Sequence, residues 1–463
     1  MLCFVEIYLC ARLFWEGNVR MNKIEKLLRT QKKLGYWPGF TMAMYPSQFA
    51  YEEVKVDFER IWKDRNEVNL YYHIPFCKSL CPYCGFFTIA QNDKDYIRKY
   101  VSKINEQLNT YVGYFQKKGT IKSICFGGGT PNYAPIDCYD SIFENLNRLN
   151  VCLDEKIEPS MEVSPELIDE DYIRDLHSIG IKRLSLGVQS LNLDIRRTIN
   201  RESNYNLLQL VEIMRKYKMN INIDVMSGIA GQTKESFMDT IHTLMEFKPE
   251  TISIYPMAGK DSSMIKKSEN IMTNKEKYEL FREYYDYLLD HGYYCESNVK
   301  FVLKNQPSTH QQKIYEYQGI DTMGIGCAAR SYNHYTHYSV EDRFNPAKRK
   351  TLLDEYLQKD FREMTYFGIH MNEMERKCRF AIYGIFIGCV DMKKYYGDFG
   401  SSFKSDFSEQ VEALLNLGFV TETEDDKLLL TKEGRVYTDL ICVQFWSEDV
   451  KKVYLLTDKQ GVK

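Results

Sequence analysis

Cys77, Cys81 and Cys84 lie between His73 and Phe86 in a C-x3-C-x2-C spacing. That spacing puts three soft thiolate donors on one short loop, one fewer than the four cysteines that usually hold an iron–sulfur cluster. A cluster with three protein ligands keeps one iron open, and an open metal position is where chemistry happens. Zinc is the competing reading. It takes four ligands, and His73, on the strand that approaches the loop, is at hand for the fourth.

Gly127, Gly128 and Gly129, then Thr130 and Pro131, follow an apolar run over Ile121–Phe126. Three residues without Cβ atoms let a ligand approach the backbone closely, although a tight turn needs no ligand to explain it. Glu162 falls near the end of Ser160–Val163, and Asp224 falls within Asn220–Met226. A carboxylate in an otherwise buried strand is costly, so each acid requires a polar ligand or a partner such as Arg183 or Arg201. Gln189 closes Arg183–Gln189 in the same manner.

The elements that must position these groups alternate. Strand-like runs at Val68–Ile74, Ile121–Phe126, Ser160–Val163, Arg183–Gln189, Asn220–Met226 and Thr251–Tyr255 are separated by helical periods at Asp95–Phe115, Asp137–Leu149, Leu167–Ile179, Tyr205–Tyr217 and Lys234–Phe247. Successive βαβ units predict a parallel sheet, here an α/β partial (β/α)6 TIM-like barrel whose chemistry collects at the C-terminal ends of the strands. A further helix is expected over Asn274–Gly292, then a Tyr- and His-rich stretch over Tyr315–Tyr338. Helices at Met374–Phe386 and Phe407–Leu417, with strands at Phe419–Thr423 and Leu428–Thr431, predict a C-terminal winged-helix-like α+β domain. The expected division is an N-terminal extension over 1–66, a core barrel over 67–300, a closing segment over 301–360 and the winged-helix-like unit over 361–463.

Bulk composition excludes some functions. The 463 residues carry a net charge of −3, and no basic stripe marks a recognition helix, so no nucleic-acid partner is expected. Thirteen cysteines, several lying singly in apolar runs (Cys125, Cys389, Cys442), fit a reducing cytoplasmic setting better than a disulfide scaffold. The apolar opening, Met1 to Trp15, lacks a basic n-region and a small-residue cleavage site, and Glu6 and Arg12 interrupt it. It is too short and too charged to span a bilayer, so no membrane association is expected. Two readings of residues 1–20 stand side by side: a surface-packed segment, or translation beginning at Met21.

The combined motifs resemble the coproporphyrinogen III oxidase-like branch of the radical S-adenosylmethionine (SAM) superfamily. The resemblance runs from about residue 37 to the C-terminus and is strongest over 71–86, 124–133, 160–166, 180–201, 220–233 and 319–331. It implies that Cys77, Cys81 and Cys84 hold a [4Fe-4S] cluster whose open iron chelates SAM, with Tyr71 and Tyr83 flanking both. It further implies that Gly128, Gly129 and Thr130 meet the methionine end of SAM. Glu162, Gln189, Arg201, Asp224 and Ala258 match other SAM positions, and Arg330 stands where a residue beside a second SAM is found. The implied activity is generation of a 5′-deoxyadenosyl radical that acts on a tetrapyrrole, with coproporphyrinogen-type oxidative decarboxylation as the leading form. Radical methyl transfer, including haem degradation, and a non-enzymatic haem chaperone are the alternatives. A flavodoxin or ferredoxin is the implied electron donor, and a monomer the implied state.

Four places depart from the family patterns, one of them a modest change over Met226–Thr233. Phe86 occupies the place of a fourth cysteine found in the oxidases, and Arg330 replaces an apolar residue. The stretch from His310 to Tyr315 does not match the haem-binding sequence of the chaperones. The segment Phe40–Phe49, by contrast, is similar to one that precedes the barrel in the oxidases.

Overall fold

Polarity alternates along the central strands, and because successive side chains point to opposite faces, the alternation decides which face carries chemistry. In β1 (Glu67–Ile74), Leu70, Tyr72 and Ile74 are fully buried, whereas Asn69, Tyr71 and His73 face the other way. Tyr72 stacks on Phe126 of β2 (Gly119–Gly128), and Phe126 meets Tyr139 of the following helix edge-on, which marks this as the helix-covered face. On the opposite face Ser123 donates to Asn69 at 2.7 Å.

The computed structural model describes residues 22–34, 45–46, 50–63, 65, 67–257, 271–306, 311–340 and 348–452. After β1 and β2 the parallel strands are β3 (Ser160–Val163), β4 (Arg183–Gln189), β5 (Asn220–Ser227) and β6 (Thr251–Pro256). Their helices are α1 (Lys94–Val112), α2 (Ile136–Arg148), α3 (Glu170–Ser178), α4 (Leu207–Lys216), α5 (Lys234–Phe247) and α6 (Asn274–Asp290). The six strands pair in chain order, each parallel to the next, as the alternation predicts. Helix starts follow local chemistry: Thr273 and Glu276 form a reciprocal capping box at α6, and Asp93 accepts from two backbone amides at α1.

The sheet continues past these six strands. β7 (Asp321–Ile325) pairs parallel to β1 on its free side, placing Gly324 opposite Tyr71. Antiparallel strands Arg330–Tyr332, Thr336–Ser339, Tyr366–His370 and Glu52–Val54 follow outward, and Lys300–Leu303 and Tyr293–Ser297 extend the other end. Tyr366–His370 thus joins the main sheet from beyond the expected boundary at residue 360. Among the described residues the sheet is open, since its edge strands Glu52–Val54 and Tyr293–Ser297 do not pair with each other.

The C-terminal unit runs helix Glu373–Ile387, strand Cys389–Asp391, helices Met392–Phe399 and Ser408–Asn416, then strands Val420–Glu422 and Lys427–Leu430. That order is the winged-helix order. The strand Cys389–Asp391, absent from the sequence reading, pairs with Lys427–Leu430. It leaves no periodic signal because its three residues follow directly on Gly388, a left-handed helix cap with φ +82°. Of Phe40–Phe49, only Tyr45 and Pro46 are described, and Tyr45 is fully buried against Glu375 and Trp446 of this unit. No described helix is long and apolar enough to cross a membrane.

Candidate functional site

The cysteine loop is anchored where it leaves β1. Phe76–Cys77 pairs with Ile89–Ala90, the Ile89 amide donates to the Pro75 carbonyl at 2.7 Å, and the Gln91 amide donates to the Cys77 carbonyl at 3.3 Å. The Cys84 amide turns back onto the Cys81 carbonyl at 3.1 Å. Asn200 donates to the Leu80 carbonyl at 3.1 Å, and Arg349 donates to the Thr88 carbonyl at 3.2 Å. Cys77 is buried, Cys81 and Cys84 are half-buried, and all three are free thiols. Burial pushes the Cys77 thiol up to about 11, opposed by a 3.3 Å hydrogen bond from the Thr130 hydroxyl. Arg201 lies in electrostatic reach of Cys81.

His73 is already engaged. Its Nε2 faces the Phe87 carbonyl at 2.9 Å and its Nδ1 faces the Tyr71 hydroxyl at 3.4 Å, so the network assigns the proton to Nε2. Burial holds this imidazole down to about 4, and it stays neutral. Among the described residues no three His, Cys, Asp or Glu side chains converge tightly enough for one metal ion. His73, with Nε2 on the Phe87 carbonyl and Nδ1 facing the Tyr71 hydroxyl, is not offered as a fourth zinc ligand. Three thiols on one loop fit a cluster, in which each ligand meets a different iron.

The glycine run serves the protein's own packing. A Cβ on Gly127 would lie 3.0 Å from the Tyr71 hydroxyl and 3.1 Å from the Glu162 carboxyl. One on Gly128, whose φ is +117°, would press on the His73 ring at 2.9 Å. One on Gly129 would meet the Pro75 carbonyl carbon at 2.8 Å. Close approach of the protein's own backbone and side chains is thus one reason for glycine at all three positions. The Gly129 and Thr130 amides donate to the Ile74 and Phe76 carbonyls at 2.8 and 2.9 Å, locking the run against the start of the cysteine loop. Asn132 then ties the run to the end of β3 by bridging both the amide and the carbonyl of Ser164.

Neither acid forms an ion pair with Arg183 or Arg201 among the described contacts. Asp224 accepts from Ser185 at 2.8 Å and from Asn222 at 2.6 Å, while Arg183 donates to Thr251 and Arg201 to Gly187 and Ser164. Each carboxylate oxygen of Asp224 keeps acceptor capacity for a ligand. Glu162 is solvent-reachable in a recess yet hemmed in by protein, and it accepts from the Gly128 amide at 3.3 Å. Confinement, with a smaller push from the Asp224 charge, raises its carboxyl to about 7. A raised carboxyl pKa means the folded chain binds the proton more tightly than the unfolded chain does. Its penalty therefore grows as pH rises from the unfolded value through about 7. Glu162→Gln is accordingly expected to raise the Tm of the SAM-free chain relative to wild type more at pH 8 than at pH 5. Thermal unfolding at the two pH values checks this, and a pH-independent difference would remove the assignment.

Gln189 sits at a register shift in β4 with φ +65°, and its side chain turns back beside Gly187. There it neighbours Arg201, which in turn lies near Tyr83. Tyr83 and Tyr255 pack on a small apolar cluster of Ile195, Ile199, Met226, Ile229 and Met257 that forms one rim of the site. Arg330 lies across β7 from Tyr71, at the opposite side. Ala258 falls outside the described residues. The structure thus brings together Tyr71, the glycine run, Glu162, Asp224 and Cys77, and sets Tyr83, Cys81, Gln189 and Arg201 beside them. Sequence reasoning missed Ser185, Asn222 and Ser253, a polar ladder around Asp224 that polar residues at alternate strand positions do signal. It also missed Arg349, for which no local signal exists.

A family profile described as the radical SAM superfamily matches residues 71–244. An oxygen-independent coproporphyrinogen III oxidase of Synechocystis is 28% identical over an alignment covering 42% of this chain and 42% of that protein, under half its length. Heme chaperone HemW of Haemophilus influenzae is 22% identical over 82% of this chain and 98% of its own. The coproporphyrinogen III oxidase structure from Escherichia coli superimposes with a TM-score of 0.75 at 22% identity, covering 93% of this chain and 99% of that one, a likeness of fold.

Proposed function

We propose that this chain, whose residues 71–244 match the radical SAM superfamily profile, is an enzyme that binds a [4Fe-4S] cluster and SAM and acts on a tetrapyrrole. The observation that carries this reading is the cysteine loop locked onto the glycine run, with Glu162 and Asp224 at the same strand ends and paired with neither arginine. Cys77, Cys81 and Cys84 would hold three irons. The chemistry such a cluster would supply when bound is one electron for reductive cleavage of SAM to methionine and a 5′-deoxyadenosyl radical.

The chain's own groups bind and orient. Gly128, Gly129, Thr130 and Tyr71 border the cysteine side of the recess, and Glu162 and Asp224 offer acceptors to the amine and hydroxyl groups of SAM. Gln189 and Arg201 supply donors beside Gly187, and Arg201 also lies in reach of Cys81. The apolar rim around Tyr83 excludes water. Asp224→Ala is expected to weaken SAM binding about tenfold to a hundredfold, the worth of one or two charge-assisted hydrogen bonds, with the cluster spectrum retained. Calorimetric titration checks the affinity, and simultaneous loss of the cluster would assign Asp224 to folding instead.

Oxidative decarboxylation of a coproporphyrinogen-like substrate is the leading reaction, since most of the similar proteins named above are oxidases. A haem-binding chaperone is the second reading, favoured by the near full-length match to HemW. A monomer in the cytoplasm, reduced by a flavodoxin or ferredoxin, completes the proposal. Anaerobic reconstitution, dithionite reduction and assay of 5′-deoxyadenosine test it. Product analysis with coproporphyrinogen III and with haem separates the two readings. A reconstituted chain that binds iron and cleaves no SAM would overturn the enzymatic one.

A further inference from the structure

We propose that Lys300 is a positioning residue for Asp224: from two strands away on the same sheet face, its ammonium supplies the counter-charge to the carboxylate that meets SAM. The proposal rests on the reading above and adds the group that tunes its acid.

Register puts the two residues in one row. Asp224 of β5 pairs with Ser253 of β6, and Ser253 pairs with Lys300 of the strand Lys300–Leu303. Residues paired across a sheet share a face, so Asp224, Ser253 and Lys300 all project to the side that carries the site. Neighbouring strands lie about 4.8 Å apart, so the outer two backbones stand about 10 Å apart, a gap that a four-carbon lysine stem largely spans. Ser253, between them, is small and turns its hydroxyl to Asn222 at 3.0 Å.

Both charges need each other. Lys300 is 7% exposed, and a lysine is almost never buried without a partner. The ion pair it makes with Glu296 is stretched to 3.9 Å. Asp224 is half-buried, and the hydrogen bonds it accepts from Ser185 and Asn222 come from neutral groups. Burial raises its carboxyl, and Lys300 lies in electrostatic reach and opposes that rise. The other groups around the pair come from every neighbouring strand. Arg183 of β4 faces Glu158, Asp224 and Glu296 and donates to Thr251 at 2.8 Å. Glu162 of β3 and Tyr255 of β6 face Asp224, and Cys125 of β2 faces Lys300. Burial, with Arg183 adding, pushes the Lys300 ammonium down to about 7. Lys300 is therefore charged at pH 6 and neutral at pH 8.5, whereas the Arg183 guanidinium keeps its charge at both.

Calorimetric titration of the full reconstituted chain with SAM at these two pH values tests the role. Lys300→Met keeps most of the stem and deletes the charge. At pH 6 it is expected to weaken SAM about tenfold, because losing a neighbouring cation lets burial protonate the carboxylate. At pH 8.5 the loss should shrink to under about twofold, since wild-type Lys300 is neutral there and Asp224 is ionised in both chains. In an Asp224→Asn background, Lys300→Met should change SAM affinity at neither pH. A loss equal at the two pH values, or one that persists in Asp224→Asn, overturns the proposal and leaves Lys300 as a structural partner of Glu296. Unaltered SAM binding with weakened coproporphyrin III binding also overturns it, because the lysine then serves the substrate directly. A wild-type chain that binds no SAM removes the enzymatic reading instead, and thermal unfolding of the SAM-free chain then decides. Below about 7 the folded chain holds Lys300 charged, so Asp224→Asn at pH 6 should lower Tm by about 1–2 °C more with Lys300 present than in the Lys300→Met background. Equal Tm changes in the two backgrounds overturn the proposal.

Discussion

Cys81→Ala is expected to abolish the visible absorbance of the reconstituted cluster and to lower SAM cleavage by at least about a thousandfold, while the fold survives. Two remaining thiols cannot hold a cubane that already has an open iron. The contacts that shape the loop do not pass through the Cys81 side chain. They run from Ile89 and Gln91 to the loop base, from Asn200 to the Leu80 carbonyl and from Arg349 to the Thr88 carbonyl. The far-UV circular dichroism and Tm of the variant should therefore stay near those of the wild-type chain lacking iron. Cys81 is also the more informative cysteine to remove: it is half-buried beside Arg201, whereas buried Cys77 contributes to packing as well. A full cluster signal in Cys81→Ala would contradict the ligand assignment.

Gly129→Ala should damage the site without touching any chemistry-bearing group. Its Cβ would stand 2.8 Å from the Pro75 carbonyl carbon and 2.9 Å from the Phe76 carbonyl oxygen, both backbone atoms. Neither can rotate away, because the Gly129 and Thr130 amides clamp that same backbone. The strain must push the glycine run and the entry to Cys77 apart. A loss of about 1–3 kcal/mol of stability, typical of overpacking, is expected together with reduced iron content. Gly180→Ala is the control: its φ is +100°, yet a Cβ there meets nothing within 4 Å. It should cost about 1 kcal/mol through backbone strain alone and leave iron content unchanged. Denaturant unfolding and iron analysis read both variants. Wild-type iron content in Gly129→Ala would show that the clamp does not govern the cysteine loop.

Much of the site was legible locally. Spacing alone put three thiols on one loop. Strand periodicity placed β1 to β6 within a few residues, and Glu162, Gln189 and Asp224 stood out as polar groups in apolar strands. These signals are short-range: a loop length, a twofold repeat, a residue type at odds with its neighbours. The winged-helix order was legible for the same reason, apart from Cys389–Asp391, too short to carry a period.

What the sequence determined by itself is thus the set of chemical groups and the order of the elements that carry them. Tertiary structure decided which of those groups remain available. His73, a candidate zinc ligand by position, is engaged by the Phe87 carbonyl and the Tyr71 hydroxyl. The space left by the glycines is filled by Tyr71, Glu162, His73 and the Pro75 backbone. Glu162 and Asp224 make no ion pair with the arginines that sequence proximity offered. Arg349 reaches the Thr88 carbonyl from 261 residues further along the chain. No local pattern encodes such a meeting, because it depends on how sheet, helix and terminal segment close over one another. Hydrogen-bond saturation and steric exclusion act only once that closure has happened.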